Sequence, residues 1–479
     1  MNTHIVGRES EIAVLEELLK SNQPELLAIY GRRRVGKTFL IKAYFHDHIV
    51  FSCTGQHRGK KEEQLLNFTE KLNTYFPEQA SLTTAKTWQT AFNRLKDGLL
   101  SIKSKKKKVV FIDELPWLDS HKSGFLSSFS YFWNAYASER SDIIVVICGS
   151  AASWIIEKVI NDKGGLHNRI TKRIRLLPFN LRETQQYLLH KKINLGHYEL
   201  LQLYMVMGGI PAYLNEVQRG KSVAQNIEAI CFSKDGILAG EFSNLYAALF
   251  ASPENHIQVI RALAKKNKGL TREEIVAIGK LTTGGTLSKV LSELDESGFI
   301  QKIYPFGKRE KESVYRLTDE FSLFYFKFMH ERKMNEKGQW IAKQATPSYI
   351  SWCGYAFENI CIKHIVQIKQ ALQIGGVHSD SASWIFRGNK NNKGAQIDLL
   401  IDRTDHCINI CEAKFSTKQF AIDKKYADEL KNKILAFRTH TNTRKTLFLT
   451  FITTYGLLDN QYKQQLADGE ITMDALFYR

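Results

Sequence analysis

Residues 31–38 read Gly31, Arg32, Arg33, Arg34, Val35, Gly36, Lys37 and Thr38, which fills every fixed position of the pattern G-x-x-x-x-G-K-[ST]. Few patterns restrict a chain so tightly, because this loop works only between a buried strand and the start of a helix. The flanks comply: residues 26–30 are a short apolar run that reads as a buried strand, and residues 39–45, from Phe39 on, read as the start of a helix. In that setting the glycines let the backbone curl until its N–H groups and the helix N-terminus face a polyphosphate. Lys37 then reaches the β and γ phosphates and Thr38 holds Mg²⁺. The loop predicts an α/β fold, a P-loop doubly wound parallel sheet with a nucleoside triphosphate at its edge.

Two further apolar runs end in groups suited to the same chemistry. Residues 109–112 lead into Asp113 and Glu114. Asp113 is positioned to hold the Mg²⁺ through water, and Glu114 to polarise the water that attacks the γ phosphate. The segment lacks a D-x-x-G switch, which favours adenine over guanine, hence ATP. Residues 143–148 form a β-branched run ending in Gly149 and Ser150, which sets Ser150 near the γ phosphate as a polar sensor. Arg169 follows in a glycine-containing segment, where it is suited to stabilise transition-state charge in its own or a neighbouring subunit of a homo-oligomer. A surface ion pair is an equally open role for it, and Arg173 is a rival.

Ile5, Val6, Gly7, Arg8 and Glu9 with Glu11, the phosphate loop, residues 111–114, Cys148 to Ser150, and Gly208, Gly209, Ile210, Pro211, Ala212, Tyr213 and Leu214 together resemble the archaeal-type ATPases. These belong with the signal-transduction ATPases of the AAA+ class. The resemblance implies that Val6, Gly7 and Arg8 contact the nucleotide near its base. It also implies that residues 208–211, Pro211 included, lie in a helical lid that reads nucleotide state. A plain turn between helices is the other reading of that glycine-proline segment.

Residues 257–265 read as a helix, and Thr271 with Glu274 forms a capping box that opens a second. A third follows residue 286, with Leu287, Val290, Leu291 and Leu294 spaced for one buried face. A strand from about residue 299, a turn at 306–309 and a return strand at 313–317 complete the order of a winged helix-turn-helix. Its third helix is suited to a major groove, and a wing carrying Lys308, Arg309 and Lys311 to backbone phosphates. Winged helices also serve as protein-docking modules, so a protein partner stays open. Residues 315–328, above all Leu317, Thr318, Asp319, Glu320 and Phe321, resemble the end of this module in archaeal-type ATPases that carry an extra C-terminal domain.

After a polar link at 331–338 comes a helix containing Glu358, then a strand at 395–401 with Asp398 among apolar neighbours, and a partner strand at 408–414 ending in Glu412, Ala413 and Lys414. Alternate side chains on a strand share a face, so Glu412 and Lys414 point the same way and a hairpin brings Asp398 beside them. Asp398 and Glu412 would hold Mg²⁺ or Mn²⁺, Lys414 would orient or deprotonate a water, and Glu358 would add a ligand or orient the lysine. With a helix at 421–437 and a strand at 446–451, the segment resembles the PD-(D/E)xK, restriction-endonuclease-like fold. The proline of that pattern is missing before Asp398. A structural salt-bridge cluster, or a nuclease fold that has lost its chemistry, is the alternative.

At 479 residues the chain exceeds one ordinary core, and about three domains fit. The divisions expected are 1–250 for the ATPase with its lid, 251–328 for the winged helix and 339–479 for the nuclease-like domain. With 43% hydrophobic and 24% charged residues, the composition is that of an ordinary soluble protein and argues against extensive disorder. Seven cysteines without a C-x-x-C pair favour a reducing compartment. The start of the chain has no signal pattern, and no uncharged run reaches the roughly 18 residues that span a bilayer, so the expected location is the cytoplasm, without a membrane partner. A net charge of +18 suits a polyanionic partner, DNA first. The densest basic cluster, Lys103 and Lys105 to Lys108, reads as a solvated loop. Together these features suggest an ATPase that acts on DNA, with a nuclease-like domain under nucleotide control. The alternatives are an ATP-driven switch that binds a protein partner and a transcription regulator with a silent C-terminal domain.

Overall fold

The computed structural model describes residues 5–79, 83–161, 164–250, 252–266, 268–308, 312–330, 338–388 and 393–478, in two compact units. The expected wing residues Arg309 and Lys311 lie outside the described residues, as do most of the polar link and the middle of the loop between 388 and 394.

The first unit covers the chain up to Pro178 and a short return at 248–251. Its centre is a parallel sheet of β1 (Glu25–Tyr30), β2 (Ile49–Thr54), β3 (Lys108–Asp113), β4 (Ile143–Gly149) and β5 (Lys172–Arg175), in the order β2-β3-β4-β1-β5. Strands β3 and β4 are buried from end to end, as near-continuous apolar runs must be when helices cover both faces. One face carries an aromatic layer in which Phe92 meets Trp88, Phe125, Phe129 and Phe132 at centroid distances of 6.2, 5.8, 5.9 and 5.3 Å. The lysine cluster ahead of β3 divides. Lys103, Lys105 and Lys106 are exposed, as a solvated loop requires, but Lys108 begins β3, is buried, and pairs with Asp142 at 2.5 Å.

The second unit runs from Phe179 to Ala247 and from Ser252 to Arg479. It opens with helices Leu181–His190 and His197–Met207; the second ends at Gly208, with φ 59°. A Cβ on Gly209 would stand 1.8 Å from the Phe179 carbonyl oxygen, so only glycine lets this turn close against the start of the unit. Pro211 then begins the short helix Pro211–Leu214.

Next come helices Glu254–Ala264, Arg272–Gly279 and Gly285–Glu296, with a sheet of β6 (Leu270–Thr271), β7 (Ile300–Ile303) and β8 (Val314–Leu317) in the order β6-β8-β7. The Thr271 and Glu274 capping box forms as expected, and Leu287, Val290, Leu291 and Leu294 are the buried face of the third helix. Strand β6 was not legible, because two residues carry no alternation.

The last part packs helix Pro347–Lys363 on a mixed sheet of β9 (Ser379–Phe386), β10 (Ala395–Arg403), β11 (Cys407–Lys414), β12 (Thr446–Thr453) and β13 (Gly469–Thr472), in the order β13-β12-β11-β10-β9. Strands β11, β12 and β13 are parallel, whereas β9 and β10 are antiparallel neighbours. Helix Lys424–Thr441 packs on β9 and β10. Among the described residues no helix is long and apolar enough to cross a membrane.

Two glycines give opposite predictions. Gly209→Ala should cost about 3 kcal/mol, because the backbone facing it cannot retreat. Gly354→Ala meets nothing within 4 Å inside helix Pro347–Lys363 and should stabilise by about 0.5–1 kcal/mol. Thermal unfolding of the two variants against wild type checks both.

Candidate functional site

Strand β1 ends at Tyr30, and the loop doubles back into helix Lys37–Tyr44 through Gly31 at φ 142°, Arg34 at φ 71° and Gly36 at φ 95°. A Cβ at residue 31 would come within 2.3 Å of the Leu176 carbonyl oxygen, so the segment after β5 presses directly on the loop. Left-handed residues alternating with ordinary ones turn consecutive N–H groups into a concave anion seat. The Lys37 ammonium donates to the carbonyls of Gly31 at 2.9 Å and Arg32 at 3.0 Å, which holds it over its own loop.

Because β4 stands between β1 and β3, Ser150 at its carboxyl end falls between the loop and the acids. Thr38 Oγ1 donates to Asp113 Oδ2 at 2.8 Å, and the backbone N–H of Glu114 donates to Asp113 Oδ1 at 3.0 Å. Glu114 is left-handed at φ 46°, and its Oε2 accepts from the N–H of Ser150 at 3.1 Å and from its hydroxyl at 2.9 Å. The hydroxyl of Thr38 and the carboxylate of Asp113 are hard oxygen donors side by side beneath an anion seat, a donor set that fits a magnesium–nucleotide pair.

Arg8, at φ 62°, is buried, and its guanidinium donates to the carbonyls of Leu177 at 2.7 Å and Val35 at 3.0 Å. It therefore straps the residues before helix Glu9–Lys20, Val6 and Gly7 among them, to the loop. Arg33 is exposed on the loop, and Phe39 is 56% exposed on the first turn after it. Arg169 and Arg173 are exposed around the start of β5, at the amino-terminal edge of the sheet, whereas the loop lies at the carboxyl edge. Pro211 is in the second unit.

Residues 5–217 match the family described as an ATPase domain predominantly from Archaea. This segment is similar to an archaeal-type ATPase domain. An uncharacterised protein of Methanocaldococcus jannaschii is 25% identical over 402 residues, covering 82% of this chain and 83% of that one. An uncharacterised ATP-binding protein of the same organism is 45% identical over 42 residues, 9% of this chain and 71% of that one. A Walker-type ATPase of Pyrococcus abyssi superposes with a TM-score of 0.50 at 20% identity, over 67% of this chain and 96% of that one; this is a likeness of fold. The matched segment contains the loop, Asp113, Glu114 and Ser150 and runs on through residues 179–217.

Outside the ATPase domain, Glu358, Asp398, Glu412 and Lys414 do come together, lining one cavity of about 110 Å³. Leu399 pairs with Cys411, so one step further along the ladder Asp398 stands opposite Glu412. Each of the three carboxylates already has a partner. Glu412 accepts from the Tyr426 hydroxyl at 2.8 Å and from Lys433, and lies 3.8 Å from the Lys414 ammonium. Asp398 accepts from Gln396 Nε2 at 2.5 Å, and Glu358 pairs with Arg316 at 3.4 Å. Burial, and then the negative charge of Asp398, pushes the Glu358 carboxyl up to about 7 against the pull of Arg316 and Lys414. Among the described residues no three acidic, cysteine or histidine side chains converge as a metal cage. The donor types suit a hard cation, but in this conformation protein cations fill that role.

Arg316, Tyr426 and Lys433 were not anticipated. A signal existed for two of them: Tyr426 and Lys433 lie on the helical stripe that also carries the buried Ala427, Leu430 and Phe437, and a lysine there calls for an acid opposite.

Lys37→Ala should lower ATP hydrolysis at least about a hundredfold. Ser150→Ala removes the hydroxyl that seats Glu114 and should lower kcat about tenfold with little change in KM. Phosphate release measured across ATP concentrations checks both.

Proposed function

We propose that the chain is a Mg²⁺-dependent ATPase of the cytoplasm that acts on DNA and carries a nuclease-like C-terminal domain under nucleotide control. The observation that carries the ATPase part is the conjunction of Lys37, Thr38, Asp113, Glu114 and Ser150 at adjacent strand ends. In this reading the loop N–H groups and Lys37 bind and orient the phosphates, and Glu114 takes up a proton from the attacking water. Bound Mg²⁺ supplies charge neutralisation of the phosphate oxygens, and Thr38 and Asp113 are the residues that would hold it. Val6, Gly7 and Arg8 border the base, and Pro211 belongs to a lid.

DNA is favoured by the net charge of +18 and by the element order of residues 254–317, which supports reading this part as a winged helix-turn-helix. Its third helix turns Thr286, Lys289 and Ser292 outward, side chains able to meet bases and phosphates. The nuclease-like reading rests on Glu358, Asp398, Glu412 and Lys414 sharing a cavity, with Mg²⁺ or Mn²⁺ as the cation of Asp398 and Glu412. The exposure of Arg169, at the edge away from its own loop, favours a homo-oligomer in which it serves a neighbour's nucleotide.

A second reading has a specific observation behind it. Just after β7, the N–H of Phe306 donates to Ser383 O at 2.7 Å, so this side of the β7–β8 hairpin is engaged within the protein. That favours an ATP switch whose helical module docks protein.

The deciding experiment measures ATP hydrolysis with and without duplex DNA and scores the same reactions for DNA breakage in Mn²⁺. Acceleration by DNA, with breakage abolished by Glu412→Gln, is the expected result. Hydrolysis indifferent to DNA, with no breakage, leaves the protein-partner switch. DNA affinity should also fall steeply with salt, as phosphate contacts require.

A further inference from the structure

The three carboxylates that line the cavity of the second unit have three cations near them, two in the lining and one paired with Glu358. Glu358, Asp398 and Glu412 are matched by Arg316, Lys414 and Lys433. A divalent cation can enter only if part of that compensation leaves, because a like charge a few ångströms away opposes it. Lys414 is the last residue of β11, and Lys433 sits inside helix Lys424–Thr441, so both are built into the layer that forms the cavity. Arg316 is not. It belongs to β8, in the hairpin of the preceding three-helix group, where it pairs across the ladder with Gln301.

That hairpin is seated on the C-terminal layer at two places. Just after β7, Pro305 bridges to Ser383 on β9, and the Phe306 ring lies 5.2 Å from Phe437. At its root, helix Pro347–Lys363 follows the chain turn by turn: Glu358 to Arg316 at 3.4 Å, Asn359 Nδ2 to the Leu317 carbonyl at 3.4 Å, and Lys363 to Glu320 at 2.5 Å. The Arg316 side chain is 4% exposed, yet its Nε has no hydrogen-bond partner among the described residues. A buried guanidinium held by one long contact is under-satisfied, which is how a contact made to be broken would look.

We propose that Arg316 is a latch on the C-terminal cation site: while the hairpin stays seated, its guanidinium neutralises Glu358 and excludes divalent cations, and withdrawal of the hairpin opens the site. The inference rests on the reading of Asp398 and Glu412 as cation ligands, and it names how that site is regulated. It gives the hairpin a role other than a free wing. Of the three cations Arg316 alone moves with the helical group, so a displacement there is transmitted to the cavity as a change of charge.

The test is Mn²⁺ binding to the full-length, nucleotide-free protein, read from the paramagnetic resonance of free Mn²⁺, with Asp398→Asn versions as the subtraction that isolates this site. Arg316→Gln should bind Mn²⁺ about tenfold more tightly than wild type at a site that Asp398→Asn removes. Phe306→Ala, which unseats the hairpin without touching a charge, should shift affinity in the same direction, and whichever variant keeps its circular dichroism spectrum decides. Asp398-dependent binding equal to or weaker than wild type in the variants overturns the latch and spares the cation site. No Asp398-dependent binding in any of the proteins overturns both.

Discussion

The carbonyl oxygen of Leu176 occupies the space a side chain on residue 31 would need, and the nucleotide site depends on that contact. It brings the chain leaving β5 against the chain leaving β1, so the loop cannot splay outward. The Arg8 guanidinium then joins Leu177 and Val35 from behind. With the loop fixed, Lys37 starts its helix at a set height, Thr38 meets Asp113, and the insertion of β4 between β1 and β3 delivers Ser150 to Glu114. Each acid is aimed by backbone geometry before any ligand arrives, as a site that stabilises developing charge requires.

The two acidic sites of the chain differ in how their charge is met. Asp113 and Glu114 accept from the Thr38 hydroxyl, the Ser150 hydroxyl and backbone N–H groups, all neutral donors that orient a carboxylate without cancelling it. Glu358 and Glu412 face Arg316, Lys414 and Lys433. Neutral donors leave the carboxylate charge available to an incoming cation. Charged donors close a site electrostatically until one of them moves.

The second unit is organised around another buried charge. Glu320 is buried, and burial raises its carboxyl above the usual range while Lys363 at 2.5 Å opposes that rise. A Cβ on Gly208 would come 2.7 Å from its Oε2, so the glycine turn of residues 208–211, the end of the β8 segment and helix Pro347–Lys363 meet at one carboxylate. Three stretches far apart in sequence are thereby held in register, and loss of Lys363 would leave the Glu320 carboxyl buried without compensation.

The phosphate loop, the strands ending at Asp113 and Gly149, the capping box at Thr271 and the Asp398 and Glu412 strands were legible because each is a local pattern. Glycine spacing, an unbroken apolar run, a cap three residues from its partner and alternation along a strand all act over a few residues of chain. The residues that close the C-terminal cavity were not legible in the same way. Arg316 meets Glu358 across 42 positions and Lys433 meets Glu412 across 21, and no local rule says which lysine or arginine of 67 will face a given acid. The sequence by itself determined where phosphate-binding and acidic chemistry would sit. Tertiary structure alone decided which of those acids face a cation, because compensation depends on what folding brings within a few ångströms.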